Sequence, residues 1–155
     1  MDSGGLKTQS FRGSASTRID EKGRLKIPTV FRGIVHARSG PDVYVTSVTG
    51  DSVLIYPMQA WNALEERLEK APSQDPTVLK FKDRISYYGQ FSELDPQGRV
   101  VIAPHLRQRA AIEGEVRVFG KGAYLEVWNE QRFAEKLVRE PWTNEDGRLL
   151  AEHGV

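Results

Sequence analysis

An internal duplication limits what this chain can fold into more than any other feature. Ile19-Asp20-Glu21-Lys22-Gly23-Arg24-Leu25-Lys26-Ile27-Pro28 returns as Leu94-Asp95-Pro96-Gln97-Gly98-Arg99-Val100-Val101-Ile102-Ala103-Pro104, with the two aspartates 75 residues apart. A repeat of this kind signals one structural unit used twice. Each copy continues in parallel. Pro28 is followed by Phe31-Arg32 and Pro104 by Leu106-Arg107; two β-rich runs come next, then an aromatic pair that opens a helix, Tyr56 and Trp61 in one copy and Trp128 and Phe133 in the other. The expected organisation is a first lobe over 11–73 and a second over 74–145. Residues 1–10 form a flexible extension, 146–155 an acidic tail, and the Pro72 to Pro76 segment separates the lobes.

The repeated motif encodes a turn. Asp20 and Asp95 accept hydrogen bonds from backbone N–H groups just ahead of them, and Gly23 and Gly98 supply the positive φ that closes a tight β-hairpin. Alternation along Arg24-Leu25-Lys26-Ile27 sends Leu25 and Ile27 inward and leaves Arg24 and Lys26 on a polar face. Further hairpins are expected from Val43–Thr46 with Ser52–Ile55 and from Glu115–Val118 with Tyr124–Val127, giving four short strands per lobe. Pro57 is read as the first helical position of a helix carrying Met58, Trp61, Leu64 and Leu68. Asp75-Pro76 opens a helix with Val78, Phe81, Ile85 and Tyr88, and Asn129 caps one on which Phe133 and Leu137 face inward. From Pro141 on, the pattern does not decide between a tail that folds back and one that stays mobile. One lobe alone buries too little surface to be stable. The expected fold is therefore mainly β with helices, a pseudo-symmetric barrel in which each lobe's strands complete the other's sheet and no edge is left free.

Composition narrows the function. Of 155 residues, 28% are charged and 39% hydrophobic, as in ordinary globular domains. No run approaches the roughly 18 apolar residues of a membrane helix, and no secretory signal is visible at the amino end. A cytoplasmic location is expected. The absence of cysteine removes disulfides, thiolate metal clusters and cysteine nucleophiles. Between Leu6 and Arg38 the eight basic residues Lys7, Arg12, Arg18, Lys22, Arg24, Lys26, Arg32 and Arg38 face only Asp20 and Glu21. That excess of six leaves the remainder at −5 within an overall +1. The concentration of charge fits a solvated face as well as an anion-binding one.

At these residues the sequence resembles the MraZ family of bacterial transcriptional regulators, within the wider AbrB-like swapped-hairpin group. Phe11-Arg12-Gly13, the two Asp-x-x-Gly-Arg segments, Tyr56-Pro57-x-x-x-Trp61, Ile102-Ala103-Pro104-x-Leu106-Arg107 and Glu126-Val127-Trp128 follow that family's pattern in order and spacing, over about residues 11 to 140. The resemblance implies an internally duplicated swapped-hairpin, or double-split, β-barrel. It also implies a repressor-like regulator of the division and cell-wall gene cluster that binds G-rich repeated boxes upstream of its own gene as a ring-shaped homo-oligomer, in the cytoplasm and at the nucleoid. Carried over by position, the family's Asp-x-x-x-Arg residues are Asp20, Arg24, Asp95 and Arg99. Pro96 and Gln97 replace Glu21 and Lys22 in the second copy, which weakens the expected DNA contact there.

Residue chemistry gives each position a role. Arg24 and Arg99 can each donate two hydrogen bonds to guanine O6 and N7 in the major groove. Lys22, Lys26 and Arg18 suit phosphate contacts, which set register without reading sequence. Asp20, Gly23, Asp95 and Gly98 support the loops, since a carboxylate aimed at phosphate would repel it; the two aspartates could also satisfy the arginines internally. Trp61, Trp128 and Phe133 are read as core or subunit contacts. Catalysis is not expected, because His36, His105 and His153 are scattered and Glu65, Glu66 and Glu69 lie on a charge-paired helical face. Neither a metal nor a cofactor is expected. The alternative from another class is a ring-forming protein-interaction module whose basic loops grip an acidic protein surface.

Overall fold

Alternating apolar and polar runs become strands in a computed structural model that describes residues 10–155. The expected extension at 1–10 thus lies, Ser10 apart, outside the described residues. In chain order the elements are β1 (Ser14–Ile19), β2 (Arg24–Lys26), α1 (Thr29–Ser39), β3 (Asp42–Thr46), β4 (Val53–Pro57), α2 (Met58–Glu69), α3 (Pro76–Tyr87), β5 (Gln90–Glu93), β6 (Arg99–Val101), α4 (Pro104–Ala110), β7 (Gly114–Gly120), β8 (Leu125–Asn129), α5 (Glu130–Arg139) and α6 (Asn144–Glu152).

The eight strands form one antiparallel sheet in the order β5-β3-β4-β8-β7-β1-β2-β6. Its two ends meet where Asp95 N–H donates to Arg99 O, so the sheet nearly closes into a barrel. The copies interlock: β1 of the first runs along β7 of the second from Ser14↔Phe119 to Ile19↔Gly114, and β3 pairs with β5. At two places a strand pairs with its own counterpart. In β2–β6 the register is Arg24↔Val101, Leu25↔Val100 and Lys26↔Arg99, and in β4–β8 it is Val53↔Val127, Leu54↔Glu126 and Ile55↔Leu125. A pseudo-two-fold axis therefore passes through both pairs, and the barrel is the α+β swapped-hairpin fold expected.

Inward residues of both copies share one core. Leu25, Ile27, Phe31 and Val35 are fully buried beside Val100, Ile102, Leu106 and Ala110. At about 1.5–3 kcal/mol for each large apolar side chain, this shared burial is what a lone lobe would lack. Asp75 accepts from Thr77 N and Val78 N to start α3, and Asn129 accepts from Arg132 N to start α5.

Several expectations are corrected. Pro57 ends β4 and stands at the N-cap of α2 instead of in its first turn. Leu137 is 60% exposed, because α5 turns Phe133 onto Phe119 and Trp128 and lays Lys136 across the Trp128 ring, which rotates the next position away from the barrel. The segment beyond Pro141 contains α6, started by a capping box in which Thr143 and Asp146 satisfy each other's backbone N–H groups. Helices α1 and α4 were not anticipated.

Candidate nucleic-acid interface

The two repeated turns have nearly identical internal bonding. In the first, Asp20 Oδ1 accepts from Lys22 N and Arg24 N, both at 2.9 Å, while Oδ2 accepts from Arg24 Nε at 2.6 Å. In the second, Asp95 Oδ1 accepts from Gln97 N at 2.9 Å and Arg99 N at 2.8 Å, and Oδ2 accepts from Arg99 Nε at 2.8 Å. Each aspartate thus fixes the turn with one oxygen and aims the arginine with the other. The Arg24 N–H is the main reason the Asp20 carboxyl titrates below the usual carboxylate value, ahead of the guanidinium and the Lys22 N–H; burial opposes them. Arg99 N–H, then its guanidinium, lower Asp95 in the same way.

Among the described residues, each arginine side chain donates through Nε alone. Among the described residues no hydrogen bond takes up the terminal nitrogens of Arg24 or Arg99, and the two side chains keep 34% and 27% of their surface exposed. The ion pairs with aspartate restrain the guanidiniums without covering their outer edges.

Strand register sets their spacing. Arg24 and Lys26 leave one face of β2, and their partners Val101 and Arg99 leave the same face of β6, so Leu25 and Val100 point into the core. Arg24 and Arg99 are diagonal neighbours across the strand pair, with backbones roughly 7–8 Å apart. A residue from each copy thereby reaches one surface.

That surface opens into a groove of about 1100 Å³ between the first turn and the end of α4. It gathers Arg18, Lys22, Arg24, Lys26, Arg99 and Arg107 against Asp20, Glu21 and Glu113, an excess of three positive charges. Lys22 and Lys26 are exposed. Arg18 is paired with Glu115 at 3.2 Å, but both side chains are more than 70% exposed, so the pair is weak and easily exchanged. All five cations expected from the sequence therefore line one concavity together with Asp20; Asp95 and Gly98 form the related turn from which Arg99 emerges.

Sequence reasoning did not single out Arg107 or Arg32 as parts of this site. Arg107 donates from Nε to Ile102 O at 3.0 Å, and its guanidinium lies where a Cβ on Gly23 would stand, 2.7 Å from that position. Arg32 covers Gly98 of the other turn in the same way, with its Nε closer still to the corresponding point. Gly23 and Gly98, at φ +81° and +77°, are thus required by backbone conformation and by an arginine resting on each. The available signal was positional: both arginines lie five residues beyond a buried isoleucine of the motif, Ile27 or Ile102.

The aromatic residues pack as expected. Trp61 is 3% exposed and stacks on Tyr44 with ring centres 4.3 Å apart, while Trp128 meets Phe133 edge-on at 5.6 Å. They form no stacking platform in the groove.

Comparison with known proteins places the chain among relatives of one family. A family model described as "MraZ protein, putative antitoxin-like" matches residues 10–84 and 89–151. A relative from Acidobacterium capsulatum, called transcriptional regulator MraZ, is 43% identical over 145 residues, covering 94% of this chain and 99% of the relative. One of the same name from Koribacter versatilis is 41% identical over 146 residues, 94% of this chain and 99% of the relative. Another from Nitrosomonas europaea is 35% identical over 119 residues, 77% and 80% of the two chains.

Proposed function

The chain belongs to the MraZ family, and from that premise we propose that it is a DNA-binding transcriptional regulator, without catalytic activity, that reads duplex DNA through the Arg24 and Arg99 turns. The observation that carries this reading is the β2–β6 register, which puts the free ends of two aspartate-aimed arginines, one from each copy, on one cationic surface. An arginine held by Nε and open at its two terminal nitrogens presents the donor pair that guanine O6 and N7 accept. Lys22, Lys26 and Arg18 contact phosphate and fix the register. Asp20, Gly23, Asp95 and Gly98 hold the turns.

Two arginines alone give modest discrimination, about 1–3 kcal/mol each. Affinity on this reading comes from several copies of the chain, arranged as a ring, engaging repeated G-rich boxes at high effective concentration. The target is the promoter of the division and cell-wall gene cluster, repression the expected sign, and the cytoplasm and nucleoid the location.

The test is titration of the chain against duplex from its own upstream region across a salt series. Arg24→Ala and Arg99→Ala should each lower affinity for a G-rich repeat by roughly five- to 150-fold and reduce preference over a scrambled duplex. Lys22→Ala should weaken both duplexes alike and flatten the salt dependence by about one phosphate contact. A salt-independent interaction, or unchanged preference in both arginine variants, refutes the reading and favours an acidic protein partner.

A further inference from the structure

Helix α6 folds without a core of its own. It is nine residues long and buries none of them, whereas an isolated helix needs roughly 12–15 residues to be even marginal in water. Its capping box fixes the start, yet Leu149 and Leu150 remain 44% and 38% exposed, and Trp142 just before it is 71% exposed. Beside the leucines runs a charged stripe in which Arg148 bridges Glu145 and Glu152. Three carboxylates with Asp146 against one guanidinium leave the helix acidic.

On the body of the same chain lies a partly apolar groove with basic residues in its lining. A groove of about 450 Å³ runs along α2, floored by Ala60, Ala63 and Leu64, walled by Tyr56, and flanked by Arg38 and Arg67. The small alanines let a second helix approach closely, and Leu64 with the tyrosine ring offers an apolar seat. The Arg67 side chain is exposed and makes no hydrogen bond or ion pair with a described residue, while its backbone carbonyl accepts from Lys70 N. Among the described residues, α6 buries none of its side chains and does not line the α2 groove of its own chain.

We infer that α6 of one copy docks in the α2 groove of a second copy, with Leu149 and Leu150 against Ala60, Ala63 and Leu64 and the carboxylate stripe facing Arg67. The contact joins two different surfaces and is therefore head-to-tail, the type that propagates from copy to copy until a ring closes. It rests on the reading that copies of the chain assemble, and adds which surfaces meet.

The experiment uses the full chain. Light scattering after size exclusion, over a concentration series, should show the assembled mass for wild type and a fall toward the monomer for Leu149→Asp, Leu150→Asp, Arg67→Glu and Glu152→Arg. Arg67→Glu combined with Glu152→Arg should restore assembly. Circular dichroism and melting of each variant verify that the barrel is intact. A second measurement uses the lack of cysteine in the chain: tagged Leu150→Cys mixed with untagged Ala63→Cys and oxidised with copper phenanthroline should yield a heterodimer absent from either variant alone. Wild-type assembly that all four variants retain, or no such heterodimer, overturns this contact and leaves assembly standing. A wild-type chain that is monomeric throughout overturns both. Neither outcome depends on whether the variants bind DNA.

Discussion

Replacing Gly23 by alanine tests whether the turn is held as described. Two costs add. Gly23 has φ +81°, and placing an L-residue in the left-handed region costs about 1–2 kcal/mol. The new Cβ would also stand 2.7 Å from Cζ and Nε of Arg107. The guanidinium must retreat and release its 3.0 Å bond to Ile102 O, a charge-assisted hydrogen bond worth about 1.5–3 kcal/mol. Together the loss is about 2.5–5 kcal/mol, or roughly 8–15 °C in Tm at ~3 °C per kcal/mol for a chain of this size. Gly98→Ala meets a closer atom, Nε of Arg32, but the Arg32 side chain holds no hydrogen bond to a described residue and can swing outward. Its cost should stay near the backbone term, about 1–2 kcal/mol and roughly 3–6 °C. The assay is calorimetric melting at one fixed protein concentration, because the proposed self-association would make Tm concentration-dependent. In an Arg107→Ala background Gly23→Ala should cost only the backbone term. Equal cost with and without Arg107, or a larger loss at Gly98 than at Gly23, would refute the account of how these arginines brace the turns.

Three further outcomes follow from the geometry. The Asp20 and Asp95 carboxyls titrate below 3.8 in the folded chain, so their contribution is complete above the unfolded value near 3.8 and is lost as pH falls through the lower folded values; acid unfolding of Asp20→Asn and Asp95→Asn should lack that loss. Burial, reinforced by Tyr124 and Glu126 and opposed by Arg67, raises the Tyr56 hydroxyl to about 12, so a 295 nm titration should find Tyr56 still protonated after ordinary tyrosines have ionised near pH 10, and Tyr56→Phe should remove the last-titrating step. Thr143→Ala deletes the capping box of α6 and should destabilise that helix by about 1 kcal/mol, seen as faster amide exchange over residues 144–152 with no change in barrel protection.

How much of this was legible depended on where each signal lay in the chain. The duplication and the alternation in Arg24-Leu25-Lys26-Ile27 were enough to place the cationic pair on one side of a strand, and Leu25 and Ile27 are fully buried. Helix α1 was hidden because Thr29-Val30-Phe31-Arg32-Gly33-Ile34-Val35 is rich in β-branched residues, carries a glycine, and buries only Phe31 and Val35. Helix α4 spans seven residues, too few for a period to register. Helix α6 did announce its start, since Thr143 stands three before Asp146, but no buried apolar run followed to support it. The meeting of Arg24 and Arg99 in one groove is non-local: it depends on β2 pairing with β6, which no local pattern in either copy specifies. Arg107 went unread because its role, bracing a glycine 84 residues earlier in the chain, exists only once the copies interlock.

The duplication is imperfect where it matters most for recognition. A true two-fold through β2–β6 would present identical turns and favour an inverted target. Here the first turn carries Glu21 and Lys22 while the second carries Pro96 and Gln97. Lys22 adds a long, mobile cation beside Arg24. Pro96 fixes the backbone beside Arg99 and offers no charge. Under the proposed reading the two turns therefore differ in phosphate contact although their aspartate and arginine geometry is alike, and a duplex bound across them is bound with a direction. A head-to-tail contact between copies preserves that direction from one subunit to the next, whereas a face-to-face dimer would reverse it. Under that reading the asymmetric turns select boxes repeated in one orientation, and the head-to-tail contact inferred above would select the same.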